Sequence, residues 1–303
     1  MKRAFILFGL FLLVLFTVSS FSAIVSTTTG EITAEVSSID KAGVTIRAKL
    51  GTTTFKAADV KYVLMDETRT DLVGMPGVVF KNGLVFHGEP NQITNTSGTI
   101  LTDYGIIQTT LQNIVYFSYN RSKELDGIIS VTTGLLPRII GSVNQTNVTL
   151  INGSKANIKE FKVTQEGNKT KFILTDDYGT YIFDSNVINR IEVDETNSAN
   201  YKNYIETKNG AIILCNIIFA GENVVLTVPF NNKIVVKFNE LSKITEKSMY
   251  SPAYSRFLNV GTYIPASYNY DSSSKTLTIN ILTEKLSFEG KLYDQIVIDI
   301  PKQ

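Results

Sequence analysis

Apolar and β-branched residues come in short runs along most of the chain, and polar turn residues separate these runs. The runs are rich in Val, Ile, Thr, Tyr and Phe, and most end at Gly, Asn-Gly or Asp clusters. Each spans roughly 5–9 residues, the usual length of a strand. No long helical period follows the N-terminal segment. This pattern predicts an all-β protein with short strands.

Two kinds of turn recur in a fixed order. The first is an Asn-Gly pair, which suits a type I′ turn with positive φ at both central residues. It occurs at Asn82-Gly83, Asn152-Gly153 and Asn209-Gly210. The second turn comes 22–26 residues later, at Tyr104-Gly105, Tyr178-Gly179 and Asn231-Asn232. An apolar pair then closes each stretch: Ile114 with Phe117, Ile188 with Ile191, and Leu241 with Ile244.

This order predicts a supersecondary unit repeated in tandem with a period of about 50–60 residues. Two of the copies even share a near-identical phrase, "ILTDYG" and "ILTDDYG". In that phrase Thr suits a strand, Asp caps a turn and Gly takes positive φ. The predicted divisions are a signal peptide (1–23), β repeats (24–70, 76–120, 147–196 and 201–248), a connector (121–146) and a divergent C-terminal β unit (253–303).

Each unit is expected to contain five short antiparallel strands, which leave exposed edges unless the sheet curls into a small barrel. The stretch "VTLINGSKANIKEF…FILTDDYGTYIFDSNVINRIEV" resembles the Sm-like (SH3-like) small β-barrel family over about 45 residues of a unit. The resemblance implies tandem small antiparallel β-barrels, as in uncharacterised bacterial envelope proteins. RNA-binding members carry an Arg-Gly pair before the last strand. "FDSNV" stands there in this chain, which argues against RNA binding.

The N-terminus has the layout of a secretory signal peptide. Lys2 and Arg3 precede an apolar stretch over residues 4–18, and small residues follow. An uncleaved anchor is the alternative, but the stretch is short for a bilayer span of roughly 20 residues. We therefore expect an exported protein, periplasmic or at the cell surface. The net charge of +1 gives no electrostatic signature for nucleic acid.

Few residues have the types or the spacing that catalysis needs. His87 is the single histidine and Cys215 the single cysteine, so neither a triad nor a thiol-rich metal site is indicated. Asp103, Asp176 and Asp177 are interpreted as turn residues and not as calcium ligands, which need about six converging oxygens. A glycosidase with paired carboxylates stays possible in principle. We predict no catalytic residues, no metal, no cofactor and no enzymatic activity.

A tyrosine-rich segment is the strongest candidate for ligand binding. Aromatic rings with hydroxyl tips suit sugar faces and protein interfaces. The candidate residues are Tyr250, Tyr254, Arg256, Tyr263, Tyr268 and Tyr270. Two prolines in the segment, Pro252 and Pro265, favour the alternative of a linker that packs on a neighbouring unit.

Two runs, 211–219 and 233–238, are predicted to be apolar on both faces of their strands. Such strands are covered on both sides, either by neighbouring units or by lipid in an outer-membrane β-barrel. The chain lacks Trp and aromatic girdles, so membrane contact is not favoured. The sequence therefore predicts a non-enzymatic structural or interaction scaffold of the cell envelope, whose partner is an unknown envelope protein or polysaccharide. A carbohydrate-binding module that uses the tyrosine-rich segment is the alternative.

Overall fold

The computed structural model describes residues 22–48, 51–120, 136–166, 169–220 and 223–247, and the backbone of strands at 262–263, 265–271, 276–281 and 284–288. These residues form mostly antiparallel sheets with a single short α-helix among them, α1 (Glu195–Ser198). The all-β prediction is confirmed. The predicted signal peptide lies outside the described residues, apart from the first residues of β1.

The first segment is a meander whose last strand returns to the first. β1 pairs with both β2 and β5, so the strand order is β4-β3-β2-β1-β5. A three-residue 3₁₀ helix (Ala57–Asp59) turns the chain from β4 into β5. The strands are β1 (Ser22–Thr27), β2 (Gly30–Asp40), β3 (Gly43–Ala48), β4 (Gly51–Lys56) and β5 (Val60–Leu64).

The second segment has the same order of pairing, although its second strand is broken into pieces. β12 pairs with β6, β6 with β7, β8 with β10, and β10 with β11. The strands are β6 (Val78–Phe80), β7 (Val85–Phe86), β8 (Gly88–Asn91), β9 (Ile93–Thr94), β10 (Thr99–Thr102), β11 (Gly105–Gln108) and β12 (Ile114–Phe117). 3₁₀ helices occupy Thr70–Leu72 before β6 and Leu111–Asn113 before β12.

The third segment begins after β13 (Arg138–Gly141), which lies within the predicted connector. β14 pairs with β15 and β19, and β16, β17 and β18 pair in sequence. The strands are β14 (Asn147–Leu150), β15 (Lys155–Asn157), β16 (Glu160–Glu166), β17 (Lys169–Thr175), β18 (Thr180–Asp184) and β19 (Ile188–Val193), with a 3₁₀ helix at Ser185–Val187.

The fourth segment follows α1 and again ends in a strand, a 3₁₀ helix (Phe238–Glu240) and a closing strand. β20 pairs with β21 and β24, and β22 lies between β21 and β23. The strands are β20 (Asn203–Thr207), β21 (Ile212–Ala220), β22 (Asn223–Val228), β23 (Asn232–Lys237) and β24 (Leu241–Glu246). Beyond them lie β25 (Thr262–Tyr263), paired with β24, and the sheet of β26 (Pro265–Asp271), β27 (Thr276–Ile281) and β28 (Glu284–Phe288).

Strands of neighbouring segments pair directly with each other. β5 lies antiparallel to β12, with Tyr116 opposite Leu64. β11 lies antiparallel to β18 over a four-residue register. β13 runs parallel to β19 on one side and to β21 on the other. Backbone pairing therefore joins each of these segments to the next.

The Asn-Gly turns differ from the predicted type I′ geometry. Gly83, Gly153 and Gly210 have positive φ, between 83° and 89°, whereas the asparagines before them do not. In the first of these turns the Gly83 amide donates to the Phe80 carbonyl at 2.9 Å, and the Phe80 amide donates to the Leu84 carbonyl at 3.0 Å. This is the pattern of a three-residue loop, a type I turn followed by a glycine bulge.

One large apolar cluster takes residues from strands between β1 and β24. Its widest side chains include Phe80, Phe86, Tyr181 and Phe183, each at most 1% exposed, with ring centroids 5.3–6.2 Å apart. Complete burial of such a side chain stabilises a fold by roughly 1.5–3 kcal/mol. The four rings come from three strands, β6, β7 and β18, so the cluster ties the second segment to the third.

The prediction of strands covered on both faces is confirmed for β21 and wrong for β23. In β21, Ile213 and Cys215 enter the large cluster, while Leu214 packs with Ile140 and Tyr204 on the other face. In β23 buried and exposed residues alternate, and Val235 is 44% exposed, so only one face of this strand is covered by described residues. None of the helices in the described part of the chain is long and apolar enough to cross a membrane.

Candidate functional site

The two near-identical phrases form turns that are capped by different residues. In "ILTDYG" the Thr102 hydroxyl accepts from the Tyr104 amide at 3.1 Å and donates to the Gly105 carbonyl at 2.8 Å. In "ILTDDYG" the Asp176 carboxylate accepts from the amides of Tyr178 and Gly179 at 2.7 and 2.8 Å. Turn capping by aspartate is thus confirmed for Asp176, whereas threonine does this in the shorter turn.

The glycines of both phrases lie at the junction between the second and third segments. A Cβ on Gly105 would lie 2.0 Å from the Ile182 carbonyl oxygen, and a Cβ on Gly179 would lie 2.5 Å from that of Gln108. Glycine is therefore required at both positions for the close approach of β11 and β18. The predicted positive φ is present at Gly105 (136°) but not at Gly179, where contact alone accounts for the residue.

A side chain from the first Asn-Gly turn reaches the same place. The Asn82 amide donates to the Asp176 carboxylate and, at 2.8 Å, to the Tyr181 hydroxyl. Its carbonyl oxygen accepts from the Leu84 amide at 3.0 Å. Burial raises the pKa of Tyr181, and the nearby Asp176 charge raises it further. The phenol therefore stays protonated at neutral pH, and Asn82 links the second segment to the third through these bonds.

Two open, polar clefts lie on either side of the turn that contains Tyr178. We call the larger one, about 1310 Å³, the first turn cleft, and the smaller one, about 670 Å³, the second turn cleft. Asp176, Asp177 and Tyr178 line both. The Tyr178 carbonyl is fixed by the Thr109 hydroxyl at 2.9 Å and the Asn113 amide at 2.8 Å. The backbone that carries this half-buried ring is therefore held from two sides.

Two acidic side chains of the first turn cleft, Asp177 and Asp194, already have partners in the fold. Asp177 forms an exposed ion pair with Lys159. Asp194 accepts from the Thr146 hydroxyl at 2.5 Å and caps α1 through the Asn197 amide at 3.0 Å. Partial burial tends to raise the pKa of Asp194, but these hydrogen bonds outweigh it and lower the pKa below its usual value. The cleft can offer amide, hydroxyl and carboxylate groups to a polar ligand.

The other residues that could carry chemistry are inaccessible or scattered. His87 is 4% exposed. Cys215 is completely buried, which raises the pKa of its thiol and disfavours the reactive thiolate. Among the described residues, no three His, Cys, Asp or Glu side chains lie close enough together to hold a metal ion.

The tyrosine-rich segment lies mostly outside the described residues. Tyr250, Tyr254 and Arg256 fall outside them. The backbone of Tyr263 belongs to β25, and that of Tyr268 and Tyr270 to β26. The structure describes no side chain here, so the assignment of these residues to ligand binding stays a prediction.

The turn clefts were missed from the sequence because their walls come from positions far apart in the chain. Asn82, Asp176 and Asp194 have no common motif or spacing. The repeated phrase "ILTDDYG" was the available signal, since it marks the turn that divides the clefts. No family model, no curated protein and no solved structure matches this chain.

Proposed function

We propose that this protein is an exported, non-enzymatic scaffold of the bacterial cell envelope, built from tandem small β-barrel units. Its N-terminal segment is taken as a cleaved signal peptide, and its partner as an envelope protein or polysaccharide. The strand order of the first segment, in which the fifth strand returns to the first, supports the barrel assignment. The same succession of strand, 3₁₀ helix and closing strand at β11–β12, β18–β19 and β23–β24 supports the repeats.

One observation carries the scaffold proposal: the backbone pairing of strands across successive segments. A hydrogen-bonded ladder between segments restricts their relative motion far more than a loop would. A row of segments fixed in this way offers an extended, fairly rigid surface. Asp176 caps a turn, Asp194 caps α1 and Asp177 pairs with Lys159, which fits a structural role better than a catalytic one.

The experiment is fractionation of the native cells, with the chain followed by intact mass. The proposal expects a mature chain that lacks its N-terminal segment and appears in the periplasmic or salt-washed fraction. Chemical cross-linking of intact cells should then join it to a defined envelope component. Full-length mass in the cytoplasm, or release from the outer membrane only by detergent, would contradict the proposal.

A second candidate function, carbohydrate binding, is favoured by the position of Tyr178. An aromatic ring on a fixed backbone between two polar clefts suits stacking on a sugar with hydrogen bonds at its edges. A pull-down on immobilised cell-wall glycan tests this with Tyr178→Ala. The matched control is Tyr178→Phe, which keeps the ring. Loss of binding for alanine with retention for phenylalanine supports the candidate, and no glycan binding by the wild-type chain excludes it.

A further inference from the structure

In the first segment, β4 corresponds to β11 and β18, the two strands that join the second segment to the third. Gly51, Gly105 and Gly179 each lie six residues before the first residue of a 3₁₀ helix, at Ala57, Leu111 and Ser185 respectively. β11 and β18 thus occupy one structural position, and β4 occupies the same position in its own segment. Unlike β11 and β18, β4 pairs within the described residues only with β3.

The β11–β18 ladder has an approximate twofold symmetry. Ile107 and Tyr181 lie opposite each other, and each is two residues after its glycine. Ile106 is opposite Ile182, and Gln108 is opposite Thr180, so the pairing is the same when read from either strand. A register of this kind can be formed by two identical strands.

Space for such a partner is open beside β4. Gly51 has φ of +135°, nearly the value at Gly105, but a Cβ on Gly51 would meet no atom within 4 Å. At Gly105 the equivalent volume contains the Ile182 carbonyl of the partner strand. The backbone at the start of β4 thus has the conformation seen at the start of β11, but no described residue covers it.

The outward-facing groups of β4 can be identified from its pairing with β3. The Ala57 amide donates to the Ala42 carbonyl at 2.9 Å, so residues 42 and 57 form a hydrogen-bonded pair. Because such pairs alternate along an antiparallel ladder, Thr54 belongs to a non-hydrogen-bonded pair, and its amide points away from β3. The contact between the Thr45 and Thr54 hydroxyls at 2.9 Å agrees with this.

The edge of β4 also lacks the features that usually prevent strand addition. Gly51, Thr52, Thr53 and Thr54 are exposed, and the strand has no charge before Lys56. Natural edges are commonly protected by charges, prolines or bulges. The edge of β23 is protected, because the Gln165 side chain accepts from the Val235 amide at 2.7 Å and donates to its carbonyl at 3.2 Å.

We propose that β4 is a homodimerisation edge: two copies of the chain join through antiparallel β4–β4 pairing in the register of β11 and β18. Thr53 of one copy lies opposite Thr53 of the other on the dimer twofold axis. Thr52 lies opposite Thr54, and Gly51 opposite Phe55. A second copy is the occupant that the structure supports, since the molecule already makes this symmetric pairing between its own segments.

Cysteine cross-linking tests the register directly. In the proposed dimer the two Thr53 Cα atoms are a non-hydrogen-bonded pair about 4.5 Å apart, within the range for a disulfide. Thr52→Cys is the matched control, because its symmetry mate would lie roughly 7–8 Å away on the diagonal. Cys215 is buried and does not compete. Under mild oxidation we expect rapid covalent dimerisation of Thr53→Cys and little of Thr52→Cys. Equal rates would overturn the proposed register.

Sedimentation velocity over a concentration series tests the association itself. Thr54→Pro removes the outward amide without breaking a bond to β3, and Thr54→Ala keeps that amide. Because the twofold axis places one such amide from each copy at the interface, Thr54→Pro removes two hydrogen bonds per dimer. It should therefore raise the dimer Kd about tenfold relative to Thr54→Ala. A wild-type chain that stays monomeric, or that binds only a different protein at this edge, overturns the proposal. If Thr54→Pro fails to fold, the comparison of Thr53→Cys with Thr52→Cys still tests the proposal.

Discussion

Asn82 shows how much one side chain contributes to the junction between the second and third segments. Its amide group spans three partners: the Leu84 amide in its own turn, and the Asp176 carboxylate and Tyr181 hydroxyl across the junction. The sequence predicted an asparagine chosen for turn geometry. The structure shows that Gly83 has the positive φ, and that the asparagine is used for its hydrogen bonds.

Asn82→Ala should therefore destabilise the fold. The change leaves the Leu84 amide without its acceptor, and a buried group without a partner costs about 1–3 kcal/mol. The Tyr181 hydroxyl also loses a donor and keeps only its 3.4 Å contact with Asp176. Urea unfolding followed by circular dichroism measures this. Asn144→Ala is the control, because Asn144 is exposed and only its backbone is bonded, to Ser142. An equal midpoint for the two variants would contradict the role given to Asn82.

Asp194 should make stability depend on pH in the acid range. Its pKa is lowered in the folded state, so its charged form stabilises the fold above its unfolded pKa of about 3.9. That contribution is lost as pH falls through the lower, folded-state pKa. We expect the gap in unfolding free energy between the wild type and Asp194→Asn to be constant above about pH 5 and to shrink below about pH 4. A gap that does not change with pH would contradict the assignment.

The strand edges of the segments are managed in three different ways. β11 and β18 cover each other, β23 is capped by the Gln165 amide, and β4 is open within the described residues. In the opposite direction, Asn232 of β23 bonds the backbone of β16. Its side chain accepts from the Val163 amide at 2.9 Å and donates to the Phe161 carbonyl at 2.7 Å. Side-chain amides thus connect β16 to β23 where their backbones do not pair.

Gly179→Ala should weaken the β11–β18 junction through contact alone. The added Cβ would lie 2.5 Å from the Gln108 carbonyl, a backbone atom that cannot move without shifting the strand, whereas φ at Gly179 is not positive. The expected loss is about 1–3 kcal/mol, as for other overpacked sites. Gly141→Ala is the control, since its Cβ would meet side-chain oxygens at 3.3 and 3.4 Å. Thermal unfolding of both variants checks the difference, and equal melting temperatures would contradict it.

Strand content and turn positions could be predicted from the sequence, because β-branched runs and glycines are local signals. The positive φ at Gly83, Gly153 and Gly210 follows from the same kind of signal. The pairing of β11 with β18 could not be predicted, since about 70 residues separate them and each strand alone is compatible with several partners. The exposure of Val235 was missed because coverage of a strand's second face depends on which distant segments pack against it.

At the scale of the whole molecule, the large core cluster and the backbone ladders act together. Residues from β1 to β24 contribute to one cluster, and strands of successive segments pair across their boundaries. The segments are therefore not independent folding units, because unfolding one of them exposes the core and the strand edges of the next. Stability should be shared among them to a large extent.

Hydrogen exchange measures this sharing. We expect the core amides of β11 and β18 to exchange with the same opening free energy, since each strand supplies hydrogen-bond partners to the other. Amides of the exposed turn around Val143, a residue that is 82% exposed, should exchange much faster and provide the internal control. Independent opening free energies for β11 and β18 would show that the second and third segments unfold separately.

The constant spacing from Gly51, Gly105 and Gly179 to the 3₁₀ helices that follow them also bears on which changes in chain length the protein can accept. "ILTDDYG" has one more residue than "ILTDYG", yet the distance from the glycine to the helix is six residues in both. The insertion falls in the turn, where it changes the capping residue and the φ of the glycine. A residue inserted between Gly179 and Ser185 would instead shift one strand of the junction against the other and move both glycines away from the carbonyls they accommodate. Insertions and deletions among related chains should therefore accumulate before the glycine and be rare after it.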